Sequence, residues 1–308
     1  MKRIVLTAIL ISCYQTGYAH HPASSGSAIA GAILTPSRST LEQSSWNLSV
    51  NLTQINFNAF SNTQLETFGS NDQEVDSLAS MQSVSLNLAW GITDATQLSL
   101  SLPYIALNDM KISDNNLGIG EVKYHGNIAG TGDMVLLMQH NFEQFALQAG
   151  IKFKTGDTHL TDATGTVLEA DHQPGSAAND YILGLIYSYP TDKFTYDFNV
   201  LYTHTGTSND GLHRGDTLLW NTAVSFAGDT KWSYALELNG EYQMPQQDAG
   251  VNNENSGGHS VFLSPGTRFN FDDNKTLYIS IGAPLWQSLH GIQHETSWRL
   301  ISGICINY

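Results

Sequence analysis

Apolar and polar residues alternate with period two through most of the chain after residue 45. Trp46, Leu48, Val50 and Leu52 alternate with Asn47, Ser49, Asn51 and Thr53. Val84, Leu86, Leu88 and Trp90 alternate with Ser83, Ser85, Asn87 and Ala89, and Leu98, Leu100, Leu102 and Tyr104 with Gln97, Ser99 and Ser101. The pattern returns over 134–142, 145–153, 181–189, 194–202, 218–226 and 232–242, then over a less regular 261–271, and again over 277–285 and 298–308. Successive side chains of a strand point to opposite faces, so this spacing predicts twelve strands, each with one apolar and one polar face.

The connections alternate short and long. Short turns fall near Thr93-Asp94, 141–144, Thr191-Asp192, Gly228-Asp229 and 272–274; long loops span 58–78, 107–130, 155–179, 205–215, 245–258 and 287–297. An even strand count with all short turns at one end is the mark of an antiparallel transmembrane β-barrel of the outer-membrane type. Trp46, Trp90, Tyr104, Phe142, Tyr187, Tyr189, Tyr202, Trp220, Tyr242 and Trp298 lie near strand ends, as aromatic girdles at two interfaces require. Tyr308, with Ile306, Ile304 and Leu300 on the same face, ends the chain in the pattern read by barrel assembly machinery. Outer-membrane lipids and that machinery are therefore expected partners.

Composition fits this reading. Charged residues are 13% of the chain, about half the ~25% of soluble proteins, and the difference is made up by uncharged polar residues. The formal charge of −15 excludes a nucleic-acid partner, which needs a basic face. Residues 1–19 read as a signal peptide: Lys2 and Arg3, a short apolar core, and small residues before a cut after Ala19. A second reading, a lipobox at Leu10-Ile11-Ser12-Cys13, stays open. The expected division is thus 1–19 signal peptide, 20–44 a periplasmic or lumen segment, and 45–308 the barrel.

If the apolar positions face lipid, the others face the lumen. Lumen-lining candidates are Lys152, Glu237, Glu241, Arg268, Arg299, Asn199 and Asn239, with the charged five placed to pair across the interior. Both signs of charge suit a partly filled barrel better than a wide water pore. The 20–44 segment is small-residue-rich and nearly uncharged, and is a candidate plug or gate. His20, which the cut would leave as the N-terminus, and His21 offer nitrogen ligands for Cu(II) or Zn(II). The other histidines fall mostly in long loops, where the plain expectation is solvation. Ser260 beside His259 and Ser288 near His290 are the only faint nucleophile candidates, with no G-x-S-x-G elbow and no nucleotide-binding or HExxH motif. No enzymatic activity and no cofactor are expected.

The stretches HHPASSGSAIAG with TPSRSTL, SLNLAWGITDATQLSLSLPY, DHQPGS, NSGGHSVFLSPGTRF and GIQHETSWRLISG resemble the outer-membrane transporter family named for the meta pathway of phenol degradation. That resemblance implies passage of small, hydrophobic or aromatic molecules across the outer membrane, and carries no binding residues with it. The expected function is a passive channel or transporter for a small-molecule substrate. The alternative is a closed structural or binding barrel whose acidic, histidine-containing loops contact cations, surface lipid or a partner.

Overall fold

The structure, a computed structural model, describes residues 32–162, 164–227, 231–272 and 274–308. The signal peptide, its cleavage site, Cys13, His20 and His21 lie outside the described residues. In chain order the elements are β1 (Trp46–Phe57), α1 (Asn62–Ser70), β2 (Asp76–Ser77), β3 (Ser80–Thr93), β4 (Thr96–Asn116), β5 (Ile119–Thr131), β6 (Met134–Phe142), β7 (Phe145–Phe153) and β8 (Asp180–Pro190). Then follow β9 (Phe194–His204), β10 (Leu212–His213), β11 (Thr217–Ala227), β12 (Trp232–Gln243), β13 (Gln247–Asp248), β14 (Val251–Asn252), β15 (Gly258–Asn270), β16 (Lys275–Leu289) and β17 (Thr296–Asn307).

Twelve strands form one antiparallel ring in the order β4-β3-β1-β17-β16-β15-β12-β11-β9-β8-β7-β6, and β6 pairs with β4 to close it. The chain ends meet in the seam between β1 and β17, where the backbones of Trp46 and Tyr308 exchange hydrogen bonds of 3.0 and 2.8 Å. Leu300, Ile304, Ile306 and Tyr308 alternate with the inward Arg299, Ile301 and Cys305 on this last strand.

Alternation sets which face is which. Along β1, Val50 and Leu52 are exposed while Asn47, Ser49, Asn51 and Thr53 are buried, so apolar side chains point outward and polar ones inward. One aromatic belt circles the turn end, with Trp46 stacked on its register partner Trp90 at 5.4 Å, Phe142 on Phe145 at 5.2 Å, and Trp232 against Phe269 at 4.7 Å. A second row holds Tyr104, Tyr181, Tyr202, Tyr242, Trp286 and Trp298 toward the loop end. From Trp232 to Tyr242 the strand climbs about 33 Å, or about 25 Å once tilted by about 40°, the height of an outer-membrane apolar band.

Three features depart from the sequence pattern. The 107–130 stretch is a hairpin, not a loop: β4 continues to Asn116 and β5 returns along it. Its alternation is weak because it stands above the band, where no apolar face is required. β5 and β6 then read as one strand broken at Gly132 and Asp133. The first long loop contains α1, whose N-cap Ser61 and Gln64 form a capping box. The less regular run in β15 coincides with a register shift between Val261 and Phe262.

Leu86 lies outward between Val50 and Leu102 on the neighbouring strands. Leu86→Arg is expected to destabilise the barrel in lipid vesicles by about 2–4 kcal/mol, read from denaturant unfolding. A loss below about 1 kcal/mol would mean this face does not meet hydrocarbon at depth.

Candidate functional site

Residues 32–43 form a strap across the interior near the turn end. Its centre is a carboxylate held by backbone. Glu237, fully buried on β12, accepts from Ile33 N at 2.7 Å, Leu34 N at 3.0 and 3.1 Å, Thr35 N at 2.7 Å and Thr35 Oγ1 at 2.7 Å. Three successive N–H groups converge on one anion, a nest in which partial positive charge meets full negative charge. Arg268 on β15 donates to the Ala32 carbonyl and lies over the Tyr278 ring, 5.4 Å from its centroid. Ile33 packs on Tyr278 and Ile301, with Leu34 against them, an apolar spot in the strap's seat.

The other half of the strap is held mainly by neutral groups, with Gln43 N donating to the Asp94 carboxylate at 2.8 Å near its end. Gln139 Nε2 on β6 donates to the carbonyls of Ser37, Arg38 and Ser39 at 3.1, 3.2 and 3.3 Å. Arg38 N donates to Ser188 Oγ at 2.9 Å, and Ser188 donates on to Asp197. Leu41 N donates to Gln97 Oε1 at 3.1 Å. Gly91 lets the strap leave the lumen, since a Cβ there would stand 2.0 Å from the Glu42 carbonyl oxygen.

Above the strap the wall carries a polar ladder. Asn221 Nδ2 donates to Asn199 Oδ1 at 2.8 Å, Asn239 Nδ2 to Asn221 Oδ1 at 2.9 Å, and Ser264 Oγ to Asn239 Oδ1 at 2.6 Å. The first two links join register partners across β9, β11 and β12, where facing side chains come closest. Arg299 on β17 reaches across to Glu241 Oε1 at 2.5 Å and Asn239 Oδ1 at 3.0 Å, with its guanidinium 3.9 Å from the Phe262 ring centroid. Asn199, Asn239, Glu237 and Glu241 are all buried, so this interior is packed rather than lined with open water.

At the loop end Lys152 bridges Asp180 and, at 3.5 Å, Asp133. Asp133 sits at the break between β5 and β6 and accepts from Thr155 N, Gly156 N, Ser176 N and Ser176 Oγ at 2.6–3.0 Å, which pins the ends of the 154–179 loop. Half-buried Arg214, from the 205–216 loop, donates to the carbonyls of Ala170, Gln173 and Gly175 at 2.6–3.2 Å. Beneath the loops lies an apolar cluster of Leu78, Met81, Ile105, Leu107, Met110, Ile128 and Leu168.

Of the five charged candidates, only Glu241 and Arg299 pair with each other. Glu237 and Arg268 serve the strap, and Lys152 takes aspartates. Asp133, Asp180 and Gln139's partners were hidden because their roles depend on which strands and loops the ring brings together. The expectation of solvated loop histidines fails for His172 and His294, both 2% exposed. Burial alone would lower the His172 pKa, but Asp76 and Asp171 raise it to about 9, whereas burial holds His294 low. Ser260 and His259, as strand neighbours, point to opposite faces, and the His259 ring packs against Tyr242 and Trp286.

A closed twelve-stranded barrel with outward apolar bands and a strapped polar lumen is an outer-membrane channel fold. The chain belongs to the family described as "MetA-pathway of phenol degradation", whose match spans residues 102–288. Its fold is similar to an outer membrane channel from Pseudomonas putida F1, at 13% identity and a TM-score of 0.63 over 88% of this chain and 98% of that one. It is also similar to the deltaS2 mutant of TodX, a monoaromatic hydrocarbon channel, at 9% identity and a TM-score of 0.50 over 96% of each chain. No curated protein matches the chain in sequence.

Glu237→Gln keeps the shape but replaces one acceptor oxygen by a donor facing N–H groups. Hydrogen bonds to a charged group are worth about 1.5–3 kcal/mol, so a loss of about 2 kcal/mol is expected. The amides of residues 33–35 should then exchange with deuterium roughly 30-fold faster, as 1.4 kcal/mol is a factor of ten. Unchanged exchange would show that the strap is held by something else.

Proposed function

We propose that this protein is an outer-membrane channel for passive passage of small molecules, exported by a signal peptide cleaved after Ala19, with the segment 20–44 as its gate. The observation that carries the proposal is the seat of the strap on Glu237. A permanent plug needs only apolar packing, but here a polar lumen is crossed by a short segment fixed mainly by hydrogen bonds to side chains. Such contacts exchange for water with small net change in free energy, which suits a segment that leaves and returns. Lys152, Glu237, Glu241, Arg268, Arg299, Asn199 and Asn239 would line the path once it moves.

The apolar cluster at the outer end supports hydrophobic or aromatic cargo, because movement of the loops packed over it would open a first apolar site above the polar interior. The channels of similar fold that carry monoaromatic hydrocarbons are consistent with that class. Loops fastened by Arg214 favour a second reading, a closed binding barrel whose outer end never opens.

Conductance in a planar bilayer separates the two. The mature protein should show low, gated conductance. Deleting residues 20–44 should raise it several-fold, with faster uptake of small aromatics into proteoliposomes. A folded deletion variant that stays sealed to ions and aromatics would remove the gate reading and favour the closed barrel.

A further inference from the structure

Beyond the lumen, one cluster of titratable side chains has the donor set and spacing of a metal site. It lies in the loops at the outer end. Asp76 comes from β2 in the first long loop, and Asp171 and His172 from a 3-10 turn (Ala170–His172) in the 154–179 loop. One ligand atom from each lies within 4.8 Å of the others. His172 Nε2 is 3.2 Å from Asp76 Oδ2 and 3.8 Å from Asp171 Oδ1. Tetrahedral ligands at about 2.0–2.1 Å from a zinc ion stand about 3.3–3.4 Å apart, so a small contraction would seat one.

His172 supplies the independent observation. Its ring is 2% exposed, yet neither ring nitrogen makes a hydrogen bond of good geometry among the described residues. A buried imidazole whose Nδ1 has no partner and whose Nε2 has only a poorly aligned carboxylate contact is costly unless a cation sits between it and the facing carboxylates. Glu74 and Glu169 add further carboxylates around Asp76 and Asp171. Lys123 from β5 and Arg214 reach the edges of the group, toward Glu74, Glu169 and Asp171. The outer contacts already orient a ligand: Gln246 Nε2, from the 244–257 loop, donates to Asp171 Oδ2 at 3.0 Å, leaving Oδ1 toward His172. The His125 ring, paired with Asp162, stands 6.1 Å from the His172 ring and closes the side.

We propose that Asp76, Asp171 and His172 bind a divalent transition-metal ion of the zinc type, which clasps the loops over the outer mouth. One imidazole with two carboxylates suits zinc better than calcium, which takes an all-oxygen shell. Water completes the coordination. The ion bridges two loops, and Gln246 ties in a third.

Calorimetric titration of the mature, folded barrel in detergent with zinc chloride should show one saturable site. His172→Gln and Asp171→Asn should each weaken it by roughly 100-fold, since even outer-shell changes cost 10–100-fold. Zinc should also slow proteolysis within 154–179 in the unaltered protein and not in the variants. No saturable binding, or binding unchanged in both variants, overturns the proposal. If a variant does not fold, X-ray absorption on the unaltered zinc complex decides: one imidazole with oxygen ligands is expected, and two or more imidazoles would place the ion elsewhere and overturn it.

Discussion

Every backbone N–H and C=O that enters hydrocarbon must find a partner within the protein, because a lipid interior offers none. Closure of the sheet between β4 and β6 meets that demand, and nearly everything else in the structure follows from it. A closed ring has an inside. Period-two alternation sends half of every strand there, so apolar outward faces require an inward face that can be polar. Twelve strands leave more room than wall side chains alone fill, and the remaining space is taken by the strap below and the loops above. The strap, the asparagine ladder and the Arg299–Glu241 pair are therefore consequences of closing a ring of this size with these faces.

What the sequence made legible is what the bilayer enforces. Strands such as Trp46–Phe57 and Val84 to Trp90 had to alternate because one face meets lipid, and the aromatic positions had to cluster at strand ends. Where the bilayer stops, so does the pattern. β5, with Gly120, Gly126 and Gly130 and no apolar face, looks like a loop because nothing outside the band requires it to look otherwise. Helix α1 had a readable sign in Ser61 and Gln64, but a nine-residue helix in a loop has too little apolar surface to stand out. The inward positions of Glu237 and Arg268 could be read from alternation. Their partners could not, since a carboxylate 204 residues from Ile33 meets it only after the ring has closed.

Buried charge in the lumen is settled in three different ways, and the differences matter. Arg299 and Glu241 meet as a direct pair, which needs good geometry to offset desolvation. Lys152 is shared between Asp180 and Asp133, and Asp133 gains further donors from the loop it anchors. Among the described residues Glu237 takes no direct bond from a cationic side chain; its charge is met by backbone N–H groups and one hydroxyl. The first two arrangements use groups on strands or at a strand break and belong to the wall. The third uses a segment that belongs to no strand.

That distinction bears on how a gate works. If the strap left, Arg299 would still have Glu241, and Lys152 would still have its aspartates. Of those five charged groups, Glu237 and Arg268 would lose their partners, a carboxylate and a guanidinium on adjacent strands β12 and β15 facing the space just vacated. Water entering that space would solvate both, so departure trades buried hydrogen bonds for hydrated charge rather than leaving orphaned groups. The barrel itself would be unaffected, because no ring-closing hydrogen bond involves residues 32–43. On the proposed reading, a lumen whose wall is self-sufficient and whose filling is held by a charge that water can also satisfy would meet the physical requirement for gating, two states of comparable cost.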